Sequence, residues 1–220
     1  MAVFLFGHLT ITTSAAYSCN VTAFTSQIEE ENLNYTCKTA YISGMDNADH
    51  QSKINTALEE IVKLRQQKAR VKAEKNGQYN GQLDFEVMKN SGSITSIKYL
   101  ETMQQGNISY ECGLTFNCTT GKIYKLGELF REDSGWQQYI TNEVIKLAEQ
   151  TGMTIKQDDI KISVIQDYYV SDEMLTLIFN EKQIAEGFEQ TEQKVVKLEI
   201  PLNQLKYSFK PDIAELIFIK

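Results

Sequence analysis

The sequence predicts an α+β fold in which antiparallel sheets pack against two main helices. Two stretches carry apolar residues at helical spacing, and several others alternate apolar and polar residues with the period of a strand. Short turns join the strands in runs, which is typical of α+β domains rather than of a doubly wound parallel sheet. With 220 residues, 42% of them hydrophobic, the chain is long enough for one domain or two small lobes that share a core.

The first predicted elements are a strand and a long helix. Residues 34–42 mix β-branched and aromatic residues and precede Ser43-Gly44, so they predict a strand that ends in a turn. Residues 46–49 offer polar caps for a helix that ends near residue 74, where Asn76-Gly77 is a stop signal. The apolar positions of this helix are Ile54, Leu58, Ile61 and Leu64.

Three strands are predicted next, over residues 83–87, 94–100 and 110–118. The third strand has the clearest alternation, and it predicts an antiparallel meander with one covered face. Its inward residues are Tyr110, Cys112, Leu114, Phe116 and Cys118, and its outward residues are Glu111, Gly113, Thr115 and Asn117.

The second half of the chain predicts a turn at residues 119–122, a second helix and further strands. Ser134 and Gln137 have the spacing of a capping box at the start of this helix, and Gly152 is expected to end it. Strands are predicted near residues 160–165, 168–170 and 175–179.

The N-terminus suggests export. An apolar run at residues 2–6 precedes small residues that end in Ser14-Ala15-Ala16, which predicts a signal peptide over residues 1–18 and an extracytoplasmic protein, although no Lys or Arg follows Met1. An ordinary N-terminal strand is the alternative. The run is too short to span a bilayer, which needs about 20 apolar residues, and no transmembrane anchor is predicted elsewhere.

Four cysteines support the same compartment: Cys19, Cys37, Cys112 and Cys118. An even number without a C-x-x-C spacing predicts disulfides. Cys112 and Cys118 would lie about 20 Å apart on one strand at about 3.3 Å per residue, so each is expected to pair with Cys19 or Cys37. Four buried free thiols, or a lipid-modified Cys19, are the alternatives.

Four sequons are candidate glycosylation sites if the source is eukaryotic, although chance also explains them in a chain rich in Asn, Ser and Thr. Their asparagines are Asn20, Asn34, Asn107 and Asn117.

No catalytic, cofactor-binding or metal-binding residue is predicted, and no cofactor is expected. The two histidines are His8 and His50, and the chain lacks the common hydrolase, phosphate-loop and metal motifs. The polar residues 46–50 are read as helix caps rather than metal ligands. Carboxylates at 59–60, 158–159 and 172–173 leave a carboxylate-dependent hydrolase open.

Charge argues against a nucleic-acid partner, because a net charge of −7 and a pI of about 5.0 would repel phosphates. One stretch departs from this acidic average, and it is read as the solvated face of the first helix or as a site for an anionic polymer. Its basic residues are Lys63, Arg65, Lys68, Arg70, Lys72 and Lys75.

Residues 119–130 contain a T-G-K turn that is followed by Gly127-Glu128-Leu129-Phe130. These motifs resemble the T-G-K turn and the L-x-D-L-F element of the RsiV-like domain family. Residues 168–179, 183–187 and 198–201 resemble its aromatic strand pair, its loop and its closing strand.

Residues 41–44 and Ile54-Asn55 resemble the companion N-terminal domain that is also found in the peptidoglycan deacetylase PdaC. The likeness covers residues 34–208 and implies an N-terminal lobe over 30–105, an RsiV-like lobe over 106–210 and a C-terminal tail over 211–220. Residues 104–109 depart from the family because they lack the histidine of its G-G-A-H loop. Neither the sigma-binding segment of the anti-sigma factors nor the deacetylase domain is expected here.

The resemblance implies a non-catalytic extracytoplasmic binding domain rather than an enzyme. Its expected ligand is an extracellular protein, lysozyme-like in relatives, and an acidic chain suits a basic partner. A peptidoglycan- or glycan-binding accessory module of a cell-envelope system is the alternative, and a carboxylate-dependent hydrolase is the third hypothesis. The ligand-binding residues are not assigned by the sequence.

Overall fold

The computed structural model describes residues 2–11, 19–103, 106–150, 160, 162–180 and 195–218. It confirms the α+β class. A mixed seven-stranded sheet has its strands in chain order from β1 to β7, and a three-stranded antiparallel sheet has the order β10–β9–β8.

The strands and helices have the following bounds. The large sheet contains β1 (Ala2–Ile11), β2 (Asn20–Glu30), β3 (Leu33–Ser43), β4 (Tyr79–Ser91), β5 (Ile94–Met103), β6 (Ile108–Asn117) and β7 (Ile123–Tyr124). The small sheet contains β8 (Tyr168–Val170), β9 (Met174–Asn180) and β10 (Val195–Pro201). The helices are α1 (Ala48–Asn76), α2 (Trp136–Gln150), α3 (Leu202–Leu205) and α4 (Pro211–Phe218), with short 3-10 helices at Leu126–Leu129 and Glu132–Ser134.

Helix α1 confirms the first predicted helix, and its ends have a local cause. The side chain of Asn47 accepts hydrogen bonds from the backbone N–H groups of Asp49 and His50, at 2.9 and 3.0 Å. Gly77 ends the helix in the left-handed conformation that glycine adopts without strain. The buried stripe differs from the prediction, because Leu64 is 48% exposed and Arg65 takes the inward position instead.

Helix α1 connects β3 to β4, and these two strands pair in parallel from Leu33 opposite Tyr79 to Cys37 opposite Leu83. All other pairings within the described sheets are antiparallel. A parallel pair needs a long crossover, which α1 supplies. The predicted meander of β4, β5 and β6 is confirmed, whereas the alternation pattern had not indicated the parallel pairing.

Two large hydrophobic clusters, with a small third one of Tyr169, Ile178 and Val195, form the core of the described residues. The first lies between α1 and strands β3–β6, and the second lies among β8–β10 and helices α2–α4. In the second cluster Phe130 stacks on Trp136 and on Phe209, with ring centroids 4.7 and 5.1 Å apart. Residues 211–218, expected to be a tail, form α4, and its Ile213 and Ile217 are buried in this cluster.

The expectation of one covered face was wrong for β6. Glu111 and Thr115, predicted to point into solvent, are 0% and 1% exposed. The small sheet covers them, because β8, β9 and β10 all contact β6. Gly113 permits this approach, since a Cβ atom there would overlap the carbonyl group of Tyr168.

Two local predictions in the second half were also wrong. Residues 162–165 form no strand; they end in a turn closed by a 3.0 Å bond from the N–H of Gln166 to the carbonyl of Ser163. Ser134 donates to the carbonyl of Arg131, and Gln137 donates to the carbonyl of Ile162, so their side chains do not form the capping box. Gly152 lies outside the described residues.

At the N-terminus, residues 2–11 form β1, which pairs antiparallel with β2. This strand agrees with the alternative interpretation of the N-terminus as an ordinary strand. The signal peptide over 1–18 stays a prediction. The proposed lobe boundary at 105/106 falls in the β5–β6 hairpin, whose strands pair within one sheet. Across the described residues, no helix combines the length and the apolar character that crossing a bilayer requires.

Candidate functional site

A polar groove lies where β3, β4 and β5 run side by side. Because successive side chains of a strand point to opposite faces, Tyr35 and Tyr79 face the core under α1 while Asn34 and Asn80 face the other way. The groove encloses about 550 Å³. Its lining residues are Asn34, Thr36, Gln78, Asn80, Gly81, Gln82, Thr102 and Met103.

The chemistry of this groove is neutral and polar. Its lining carries amide and hydroxyl groups, and none of these residues has a charged side chain. An amide group both donates and accepts hydrogen bonds, and a hydroxyl group does the same. The groove can therefore bind a neutral ligand with many hydroxyl or amide groups, and its lining contains no carboxylate, imidazole, amine or thiol.

A buried carboxylate holds these strands together from the opposite face. Glu101 is 1% exposed, and its two oxygens lie within hydrogen-bond distance of five side chains. The donors are Tyr35 Oη at 2.9 Å, Tyr79 Oη at 2.5 Å, Arg65 Nε at 2.7 Å, Ser109 Oγ at 2.8 Å and Lys72 Nζ at 3.4 Å. We call this set the Glu101 hub.

The hub keeps Glu101 ionised. Burial alone would raise the pKa of the carboxyl group, but the hydrogen bond and charge of Arg65 lower it to about 2. Burial and the negative charge of Glu101 raise the pKa of Tyr35 and of Tyr79, so both phenols stay protonated and donate. The hub thus fixes β3, β4 and β5 behind the groove by charge-assisted hydrogen bonds.

Glu111 is the second buried carboxylate, on the face of β6 that the small sheet covers. Neither carboxyl oxygen of Glu111 has a hydrogen-bond partner, and Lys197 Nζ lies 3.5 Å from Oε2. Burial raises the pKa of Glu111, against the opposing charges of Lys197 and Lys98. The backbone of Glu111 is bonded instead: the side chain of Asn180 accepts from its N–H at 3.1 Å and donates to its carbonyl at 2.8 Å.

The described carboxylates on which the hydrolase hypothesis rested lie on separate elements, at 59–60 on α1 and at 172–173 between β8 and β9. Glu101 and Glu111 lie on opposite faces of the sheet, and Glu59 and Glu60 are exposed on α1. Asp172 forms an ion pair with the buried Lys89 at 2.8 Å. Residues 158 and 159 lie outside the described residues.

The basic stretch of α1 is only partly a solvated face. Arg65 and Lys72 reach into the Glu101 hub, and Arg70 pairs with Glu30 at 3.3 Å. Lys63 pairs with Glu59 within the helix at 3.3 Å. These cations are neutralised by carboxylates of the same chain, which disfavours a site for an anionic polymer.

The four sequons lie in different environments. Asn20, Asn34 and Asn107 are exposed, and Asn34 also lines the groove. Asn117 is buried, and its side chain accepts hydrogen bonds from the backbone N–H groups of Thr119 and Thr120, at 2.8 and 2.9 Å. A glycan on Asn117 would disrupt the turn that follows β6.

All four cysteines are buried free thiols, so the structure contains none of the predicted disulfides. Cys37 and Cys112 lie in the cluster under α1. Cys19 and Cys118 belong to the same cluster, and their Sγ atoms are 2.9 Å apart.

The T-G-K turn has a structural role. Gly121 has a φ of +64°, and a Cβ atom there would lie 2.6 Å from the Cβ of His50. The ring of His50 lies against this turn, with Nδ1 3.1 Å from the carbonyl oxygen of Thr119. Within the described ranges, no cluster of three His, Cys, Asp or Glu side chains could hold a metal ion.

The second family-like motif is structural as well. The side chain of Glu128 accepts a 2.9 Å hydrogen bond from the backbone N–H of Lys125 and closes the short helix. Leu129 and Phe130 are buried in the second cluster. Both motifs therefore connect β6 to α2 and do not line the groove.

Comparison with known proteins supports the fold. A member of the DUF3298 family from Bacteroides fragilis matches with a TM-score of 0.57 and 13% identity, over 91% of this chain and 98% of that chain. A DUF3298 family protein from Pseudomonas aeruginosa matches with a TM-score of 0.54 and 10% identity, over 90% and 97% of the two chains. No protein-family model matches the sequence, and no curated protein does.

DUF3298 is the family of RsiV- and PdaC-like domains, so these matches agree with the motifs seen in the sequence. At 10–13% identity, these matches show a similar fold and give no information about the ligand. The chain has a DUF3298-like α+β fold.

Proposed function

We propose that this protein is a non-catalytic, extracytoplasmic binding domain that holds a neutral glycan in the polar groove of its large sheet. The observation that carries this proposal is the lining of the groove by amide and hydroxyl side chains from three adjacent strands. A glycan presents hydroxyl and acetamido groups at regular intervals, and such groups pair with amides in both directions.

The support behind the groove favours binding as well. Buried, charge-assisted hydrogen bonds of the Glu101 hub hold β3, β4 and β5, so the groove needs little reorganisation when a ligand enters. Its volume of about 550 Å³ lies within the range of about 300–1,000 Å³ that is usual for small-ligand sites. A short oligosaccharide segment fits a groove of this size.

Recognition of a basic extracellular protein is the second candidate. The net charge of −7 favours it, because opposite charge accelerates encounter, and the RsiV resemblance suggests a lysozyme-like partner. This binding should weaken as salt concentration rises, whereas glycan binding in an uncharged groove should change little.

Calorimetric titration separates the two candidates. A neutral N-acetylglucosamine oligosaccharide should bind the wild-type protein, and the double variant Asn34→Ala/Gln82→Ala should bind it at least about tenfold more weakly, equivalent to about 1.4 kcal/mol. Asn203→Ala removes an exposed amide on α3, away from the groove, and should bind like the wild type.

The same proteins are then titrated with lysozyme at low and at raised salt. Salt-sensitive binding that the double variant retains would establish the second candidate and exclude the groove as the site. Absence of heat with both ligands would show that the proposal is wrong.

A further inference from the structure

Two cysteine thiols that are far apart in sequence meet in the first core. Cys19 lies immediately before β2 and Cys118 immediately after β6, and their Sγ atoms are 2.9 Å apart. Both side chains are buried, with 3% and 6% exposure. Of the four thiols in the described part of the chain, these are the two whose sulfur atoms lie within hydrogen-bond distance of each other.

The β4–β5 turn holds both thiols in place. The backbone carbonyl of Cys19 accepts a 2.9 Å hydrogen bond from the Asn90 side chain, and the N–H of Cys118 donates to the carbonyl of Ser93 at 2.7 Å. Thr95 Oγ1 lies 3.4 Å from the sulfur of Cys19 and 3.0 Å from that of Cys118. The two side chains therefore face each other on a fixed backbone.

The other two thiols have different neighbours. The sulfur of Cys37 accepts a hydrogen bond from Gln66 Nε2 at 3.6 Å. Cys112 lies in the middle of β6, away from the strand ends where Cys19 and Cys118 meet. From the sequence, Cys112 and Cys118 could each pair with either Cys19 or Cys37. The contact between the sulfur atoms of Cys19 and Cys118 favours that pairing.

We propose that Cys19 and Cys118 form a disulfide when the protein folds in the presence of an oxidised low-molecular-weight disulfide, such as oxidised glutathione, and that Cys37 and Cys112 remain thiols. The bond ties the start of β2 to the end of β6 across 99 residues of sequence. This inference does not depend on the ligand of the groove.

The reaction is balanced by the glutathione couple. The thiolate of Cys118 attacks a sulfur of oxidised glutathione, which forms a mixed disulfide and releases one glutathione thiolate. The thiolate of Cys19 then attacks the Cys118 sulfur and releases the second glutathione, so two protein thiols are oxidised and one glutathione disulfide is reduced. In the folded chain, hydrogen bonding with the Cys19 thiol and with Thr95 lowers the pKa of Cys118, against the effect of burial, which favours its thiolate.

Peptide mapping of the wild-type protein tests the proposal directly. The protein is refolded with a glutathione redox couple, alkylated in denaturant without reduction, digested and analysed by mass spectrometry. We expect one cross-linked peptide pair containing Cys19 and Cys118, and alkylated Cys37 and Cys112. Alkylation of all four cysteines, or a cross-link in any other pairing, would overturn the proposal.

Matched variants add a second measurement. Cys112→Ala should retain the cross-link, whereas Cys19→Ser should leave Cys118 alkylated and produce no other cross-link. If Cys19→Ser fails to fold, the wild-type map still decides the pairing. A new Cys37–Cys118 link in the Cys19→Ser protein would show that the geometry does not select the pair.

Discussion

Glu101 and Glu111 lie on neighbouring strands of one hairpin, are both buried, and face opposite sides of the sheet. On the side covered by α1, Glu101 accepts hydrogen bonds from tyrosine, arginine and serine side chains, and its pKa falls to about 2. On the side covered by the small sheet, Glu111 has a lysine at 3.5 Å and no hydrogen bond to its carboxyl oxygens, and burial raises its pKa.

The difference shows that burial alone does not decide what a carboxylate does to stability. A buried charge is tolerated when donors replace the water it has lost, and it is costly when they do not. The helix-covered face supplies these donors from α1, β3, β4 and β6. The face covered by the small sheet supplies the charges of Lys197 and Lys98 but no hydrogen bond to the carboxyl oxygens, and Lys197 is itself partly exposed.

The largest expected effect is that of Glu101→Ala. This change leaves the guanidinium of Arg65 buried without its carboxylate, and breaking a buried pair in this way costs about 3–5 kcal/mol. The free energy of unfolding, measured in urea, should fall by that amount. Glu60→Ala, an exposed position on α1, is the control and should change it by less than about 0.5 kcal/mol. Equal effects of the two variants would show that the hub does not stabilise the fold.

The next effect concerns the contact between the two sheets. Gly113→Ala places a methyl group against the carbonyl of Tyr168, so β8 must move, and overpacking of this kind costs about 1–3 kcal/mol. Gln82→Ala, exposed on the same sheet, should stay within about 0.5 kcal/mol of the wild type in the same urea measurement. A Gly113→Ala protein as stable as Gln82→Ala would contradict the close approach of the sheets.

The smallest effect is expected from Glu111→Gln. Its free energy of unfolding at neutral pH should exceed that of the wild type by no more than about 1 kcal/mol. The pKa of Glu111 is higher in the folded than in the unfolded state, so its contribution to stability is lost as pH rises above the ordinary glutamate range. The gain from Glu111→Gln should therefore shrink as pH is lowered through that range.

Glu101 should show the opposite dependence. Its folded pKa of about 2 lies below the ordinary value of 4.5, so its contribution is present above pH 4.5 and is lost as pH falls towards 2. Urea denaturation of wild type, Glu101→Gln and Glu111→Gln at a series of pH values measures two slopes. Each slope is the change with pH in the difference between the unfolding free energies of a variant and the wild type. Slopes of the same sign for the two variants would refute the comparison.

Much of the fold could be predicted from local patterns. Helix α1 was predicted because its caps and its apolar spacing agree, and the β4–β6 meander because its strands alternate and short turns join them. The parallel pairing of β3 with β4 could not be predicted, because a crossover helix fits several positions for the next strand. The small sheet was only partly foreseen, since the polar residues Glu111 and Thr115 mimic a solvated face.

The candidate site was harder to predict. Asn34, Asn80 and Gln82 are ordinary polar strand residues, and only the register between strands brings them together. One feature of the sequence indicates the Glu101 hub, although it was not used in the prediction. Arg65 continues the inward spacing of Leu58 and Val62 on α1, so a charged residue occupies a core position and requires a buried partner.

The bond between Asn180 and β6 closes one position on the outer edge of β6. Among the described residues, strand β7 pairs with two residues of β6, Thr115 and Phe116, and Glu111 lies further along the same strand. The side-chain amide of Asn180 accepts a hydrogen bond from the N–H of Glu111 and donates one to its carbonyl, as the backbone of a neighbouring strand would. A strand that paired with β6 at Glu111 would first have to displace that amide.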